Sequence, residues 1–138
     1  MKKRIKDKIN EIEKYLGELL NIKPIKLKDY IKDLKTKAAC ERYFEKILEA
    51  VVDLAFLVIK EKDFKVPEDD NEAFDILNQV SIISKSLCER LKDAKGMRNI
   101  IAHQYGTIDD ELVFNSINEE IESDVKVFIN AIKNSLRL

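Results

Sequence analysis

The chain has 138 residues, with 25 Lys and Arg against 26 Asp and Glu, so its net charge is −1. A hydrophobic share of 45% argues against a disordered chain, and the near-neutral charge excludes a strongly basic nucleic-acid binder but not a local basic patch. Three glycines and two prolines are too few for the many tight turns of an all-β fold. The sequence also has no run of about 20 apolar residues, the pattern that would predict a membrane span.

Two helices are predicted in the first half of the chain. Apolar residues recur at spacings of three and four over residues 5–20, which predicts an amphipathic helix that stops near Pro24. The same period holds over residues 27–64, and residues 47–59 are apolar almost all round. We therefore expect a long central buried helix, with a break allowed near residues 35–37.

The middle of the chain alternates turns and helices. Residues 65–71 predict a turn with acidic caps, and a short helix is expected over residues 72–80. Ser84 can cap the next helix, whose apolar pattern Gly96 interrupts. Gly106 is placed to end the helical segment that follows.

The last helix is predicted to begin at Asp109, a residue type that caps helix N-termini well. One continuous apolar stripe follows it: Leu112, Val113, Ile117, Ile121, Val125, Phe128, Ile132 and Leu136. The expected fold is an all-α antiparallel bundle of four to five helices that forms a single domain over residues 1–138.

Cys40 and Cys88 stand alone within helical stretches. The sequence has no CxxC motif and no Cys/His cluster, so we expect no metal site and two reduced, buried thiols. Reduced cysteines and the absence of a signal-peptide pattern predict a cytoplasmic location.

The candidate functional residues surround His103, the only histidine. Histidine can give and take protons near neutral pH. Arg98 lies five residues earlier, Asn99 four earlier and Tyr105 two later. On a regular helix His103 would lie well round the surface from Arg98 and Tyr105. These three can meet only if the helix ends or bends near His103, or if a second copy of the protein completes the site.

The charged residues from position 90 to His103 sum to +3. Four of them are positive, Arg90, Lys92, Lys95 and Arg98, and one is negative, Asp93. An arginine can fork onto two phosphate oxygens, and an imidazole can move a proton at a ribose hydroxyl or a leaving oxygen. Together they would suffice to cleave RNA without a metal. From the residues alone, a surface arginine on a solvated helix face and a capping or core histidine are the commoner explanation of this pattern.

The segment Arg98-Asn99-Ile100-Ile101-Ala102-His103-Gln104-Tyr105 resembles the Arg-x4-His-x-Tyr motif of the HepT-like branch of the HEPN superfamily. Residues 41–45, Glu-Arg-Tyr-Phe-Glu, are similar to a second pattern of that family, and the likeness runs from about residue 27 to the C-terminus.

The resemblance implies the toxin of a toxin–antitoxin pair, a metal-independent endoribonuclease without cofactor that forms a homodimer with both motifs in a shared cleft. It implies that Arg98 and His103 are catalytic, that Asn99 orients the site, and that Tyr105 accepts AMP from an MntA-type nucleotidyltransferase antitoxin. AMP would add bulk and negative charge beside Arg98. The expected substrate is an RNA held by its backbone, such as tRNA, and not DNA.

Two other functions stay open. The chain can be a non-catalytic helical subunit that binds substrate or nucleotide within a nucleotidyltransferase complex, or a structural helical dimer whose motif only shapes a polar interface.

Overall fold

The computed structural model describes residues 1–103 and 109–138. The predictions for Tyr105 and Gly106 therefore lie outside the described residues. The regular structure within them is helical: α1 Lys2–Ile22, α2 Leu27–Lys32, α3 Leu34–Glu61, α4 Asp70–Gln79, α5 Lys85–His103, α6 Asp110–Asn115, a π-helical segment Ser116–Glu120 and α7 Ile121–Leu136. With the last three taken as one unit, five units in this part of the chain span ten residues or more. The predicted all-α bundle is confirmed.

The helical segment predicted over residues 27–64 is divided at Asp33 into α2 and α3, close to the region where the sequence allowed a break. Asp33 adopts an extended backbone and its carboxylate accepts hydrogen bonds from Thr36 N at 3.2 Å and Thr36 Oγ1 at 2.7 Å. This side chain caps α3, which explains why the break lies slightly before the region that the sequence allowed.

The predicted caps are confirmed along the chain. Asp69 accepts a hydrogen bond from Glu72 N at 2.8 Å, Ser84 Oγ from Leu87 N at 3.1 Å, and Asp109 from Leu112 N at 3.2 Å. Gly96, however, does not interrupt α5, which runs through it to His103. A single helical glycine costs only about 1 kcal/mol, an amount that packing of the rest of the helix can offset.

The last apolar stripe is buried except for Leu112, which is 58% exposed and was wrongly placed in it. Val113, Ile117, Ile121 and Val125 follow one another at steps of four. On an α-helix each such step turns the stripe by about 40° from the core. The π-helical segment at residues 116–120 widens the turn there and keeps the stripe facing inward.

The core is built around α3, which packs against α1, α2, α4 and α5. Residues 47–59 contain most of the buried side chains of α3, as the sequence predicts. Phe74 of α4 and Phe128 of α7 meet edge to face, with ring centroids 6.2 Å apart. Helix α5 packs against α3, α4 and α7, and its remaining face is exposed to solvent. No helix within the described residues is both long and apolar enough to cross a membrane.

Candidate functional site

The last turns of α5 carry three of the predicted site residues. Arg98 is partly buried, with 25% of its side chain exposed, and Asn99 is also partly buried. His103 is the final residue of the helix and is exposed. The imidazole is therefore not sealed in the apolar core, which a role in proton transfer requires.

Arg98 is held by two neighbours. Its Nη2 donates to Oε1 of Glu49 on α3 at 2.5 Å, and its Nη1 donates to Oδ1 of Asn99 at 3.1 Å. Its Nε is buried and has no hydrogen-bond partner within the part of the chain that the structure describes. Asn99 thus touches the guanidinium, the contact that an orienting residue needs, although its role stays a prediction.

Arg98 and His103 point in different directions. Because α5 is continuous through His103, the five-residue separation places them about 140° apart around the helix axis and about 7.5 Å apart along it. The helix neither ends nor breaks between them. The two residues therefore do not converge along α5 itself, and completion of the site by a second copy of the protein, which the sequence left open, stays a prediction.

His103 belongs to an exposed stripe on the open side of α5. Five exposed residues, spaced four and three apart along the helix, form what we call the α5 stripe: Glu89, Asp93, Gly96, Ile100 and His103. Ile100 is 47% exposed, and a Cβ added at Gly96 would meet no atom within 4 Å. The stripe therefore combines an exposed apolar side chain with a position where another backbone can approach closely.

The basic excess of α5 is neutralised by acids from other helices. The four cations pair with carboxylates of α3, α4 and α7: Arg90 with Asp124 at 2.8 Å, Lys92 with Asp75 at 2.7 Å, Lys95 with Asp70 at 3.9 Å and Arg98 with Glu49 at 2.5 Å. Residues that looked like a row of free cations in the sequence instead hold α5 against its neighbours. The net positive charge that the sequence places before His103 is therefore offset by carboxylates of other helices.

A cleft of about 150 Å³ lies beside Arg98, between α3, the start of α4 and α5. Its charged lining residues are Glu49, Asp53, Asp70, Lys95 and Arg98. Three carboxylates thus face two cations, so an anion would not enter this cleft without an adjustment of its acidic groups.

The two cysteines are free and buried, as predicted. Burial raises the pKa of Cys40 to about 11, and burial together with a hydrogen bond to Asp75 raises the pKa of Cys88 to about 11. Both thiols therefore stay protonated near neutral pH and are poor nucleophiles.

Sequence reasoning missed Glu49. Within residues 47–59 of the central helix, the charged residues are Glu49 and Asp53, spaced four apart on one face. A charge on an otherwise apolar helix needs a partner, and this pattern could have pointed to a contact with another helix. It could not have identified Arg98 as that partner, because the pairing depends on how α3 and α5 pack.

Comparison with protein families and curated proteins shows clear relatives. The sequence model described as Ribonuclease HepT-like matches residues 5–132. A putative RNase of Archaeoglobus fulgidus is 33% identical over 89 residues, which cover 64% of this chain and 66% of that protein. The mRNA nuclease HepT of Shewanella oneidensis is 28% identical over 64% of this chain and 66% of its own length. The tRNA nuclease HepT of Aphanizomenon flos-aquae is 26% identical over 83% of this chain and 78% of its own length.

Solved structures share the fold. A tri-AMPylated HEPN toxin of Shewanella oneidensis, solved in complex with its MNT antitoxin, superposes with a TM-score of 0.87 at 23% identity and covers 94% of this chain and 96% of its own. YutE, a cytosolic protein of unknown function from Bacillus subtilis, superposes with a TM-score of 0.81 at 17% identity and covers 99% of this chain and 90% of its own.

Proposed function

The chain belongs to the family of HepT-like ribonucleases, and from this premise we propose that it is a metal-independent endoribonuclease, the toxin of a toxin–antitoxin pair. The observation that carries the proposal is the family match over residues 5–132, which includes Arg98 and His103 on the solvent-facing end of α5. Relatives named as mRNA and tRNA nucleases support RNA as the substrate class, and tRNA is one candidate within it.

The chemistry needs only these two side chains and the substrate's own hydroxyl. His103 takes the proton from a ribose 2′-hydroxyl, whose oxygen attacks the adjacent phosphorus. Arg98 binds the phosphate oxygens and stabilises the charge that accumulates as the new bond forms. The bond to the 5′-oxygen then breaks, and the imidazolium returns the proton to that leaving oxygen. The products are a 2′,3′-cyclic phosphate and a 5′-hydroxyl end.

A homodimer would resolve the divergence of Arg98 and His103 on α5. If two copies pair across a two-fold axis so that His103 of each lies beside Arg98 of the other, both shared sites form at once. In this arrangement one copy supplies the guanidinium and its partner supplies the imidazole.

Regulation follows from the motif's tyrosine. We propose that an MntA-type nucleotidyltransferase transfers AMP to Tyr105, which adds bulk and negative charge to the motif and repels the RNA backbone. The AMPylated state and the MNT antitoxin of the Shewanella structure support this assignment by analogy. Tyr105→Phe should keep cleavage and prevent the mass increase of AMP transfer. The buried free thiols support a cytoplasmic location for this pair.

The test is RNA cleavage in EDTA by full-length protein that intact-mass measurement shows to be free of AMP. Arg98→Ala should abolish cleavage, whereas Arg90→Ala should retain it, since Arg90 also forms an ion pair on α5 but lies two turns away. Equal activity in both variants and the wild type would contradict the mechanism. Absence of cleavage by the AMP-free wild type, with nucleotide or partner binding intact, would favour the non-catalytic binding subunit.

A further inference from the structure

We infer that Glu49 is a positioning residue, one that holds the Arg98 guanidinium in the orientation from which it binds the scissile phosphate. This inference rests on the proposed ribonuclease function. Glu49 lies on α3 and Arg98 on α5, and the two side chains meet at the cleft between these helices.

The contact uses only part of the guanidinium. Glu49 Oε1 accepts one hydrogen bond from Nη2, and Asn99 Oδ1 accepts one from Nη1. Each terminal nitrogen carries two N–H groups, so one on each is left for a ligand. The hydrogen bonds to Glu49 and Asn99 therefore leave N–H groups of Arg98 that can donate to phosphate oxygens.

The surrounding charges single out Glu49. Lys95 pairs with Asp70 at 3.9 Å, and Asp53, one turn after Glu49 on α3, pairs with Lys8 of α1 at 3.5 Å. Among the carboxylates that line the cleft, Glu49 is the one bonded to the guanidinium. Its side chain is 43% exposed, so the ion pair contributes little to folding. Its consequence is to restrict the rotamers of a long, flexible arginine.

Loss of Glu49 should change catalysis and RNA binding differently. Without its acceptor, Arg98 samples more orientations, and fewer of them match the phosphate in the transition state, so kcat falls. Binding should not weaken in parallel, because the substitution removes one of the three carboxylates that oppose an anion at this cleft. A merely structural role would predict loss of stability without this separation of kcat from KM.

The experiment compares Glu49→Ala and Glu49→Gln with Asp53→Asn, a matched carboxylate from the same helix and cleft. With AMP-free protein, Glu49→Ala should lower kcat about tenfold, the size expected for one charge-assisted hydrogen bond, while KM stays equal or falls. Glu49→Gln keeps an acceptor oxygen and should recover part of the loss. Asp53→Asn removes the same charge from the cleft but does not touch the guanidinium, so its kcat should stay within about twofold of wild type. Thermal unfolding checks that all variants fold.

A Glu49→Ala variant with the kcat of Asp53→Asn would overturn the inference, and so would a gain in kcat, which would mean that Glu49 competes with RNA for Arg98. A second readout does not need activity. NMR of the guanidinium groups should show restricted motion at Arg98 in the wild type and free rotation in Glu49→Ala. Free rotation in both would overturn the inference, whereas restricted motion in a wild type that does not cleave RNA would contradict only the ribonuclease function.

Discussion

Arg98 and His103 lie on one uninterrupted helix but face different surroundings: Arg98 is bonded to Glu49 of α3, whereas His103 is exposed at the end of α5. A single copy therefore presents its guanidinium and its imidazole about 140° apart around the helix axis. We therefore predict that, where both act on one phosphodiester, they come from two copies of the chain. The first prediction tests this directly.

Mixing two inactive variants should restore cleavage. In a dimer of one Arg98→Ala chain and one His103→Ala chain, one shared site loses both residues and the other keeps both. Random exchange between equal amounts should recover about a quarter of wild-type activity, because half of the dimers are mixed and each has one intact site. If each site took both residues from the same chain, the mixture would stay inactive.

A second prediction concerns the core that holds α5 in place. Phe128 is fully buried and packs edge to face against Phe74. Phe128→Ala should lower the free energy of unfolding by about 3–5 kcal/mol, because it removes apolar contacts and leaves a cavity. Val127, its neighbour on α7, is 47% exposed, and Val127→Ala should change stability by no more than about 0.5 kcal/mol. Urea unfolding measures both free energies of unfolding. Equal destabilisation by the two substitutions would contradict the assignment of Phe128 to the core.

A third prediction concerns the pH dependence of the thiols. Burial raises the pKa of Cys40 and of Cys88 from 9.0 to about 11. In the folded protein alkylation should therefore stay slow at pH 8 and increase only towards pH about 11, whereas in urea it should increase through pH about 9. As pH rises, the thiols of the unfolded protein lose their protons before those of the folded protein, which favours the unfolded state. The contribution of the two buried thiols to stability is therefore full below pH 9 and is lost as pH rises towards 11. Fast alkylation of the native protein at pH 8 would show that the thiols are accessible and ionised.

Local features of the fold could be predicted from the sequence because their causes are local. Ser84 and Asp109 cap helices through backbone N–H groups only two or three residues away. The π-helical segment was missed, although the repeated steps of four from Val113 to Val125 are its physical cause. Gly96 was overinterpreted, since a glycine lowers helix stability only modestly when the helix is packed on three sides.

The candidate site could be predicted only in part. The spacing of Arg98 and His103 identified which residues to consider and showed that a regular helix would separate them. The partners of the basic residues could not be predicted, because Glu49, Asp70, Asp75 and Asp124 come close to α5 only through helix packing. The sequence therefore showed a local excess of positive charge but not the interhelical ion pairs that offset it in the folded protein.

The most direct measurement is cleavage of RNA in EDTA by AMP-free wild type and by AMP-free His103→Ala protein. The wild type should cut the RNA and leave 2′,3′-cyclic phosphate ends, and His103→Ala should lose this cleavage while it keeps the fold and unfolding temperature of the wild type. Full cleavage by a folded His103→Ala protein would contradict the assignment of the imidazole as the group that moves the proton.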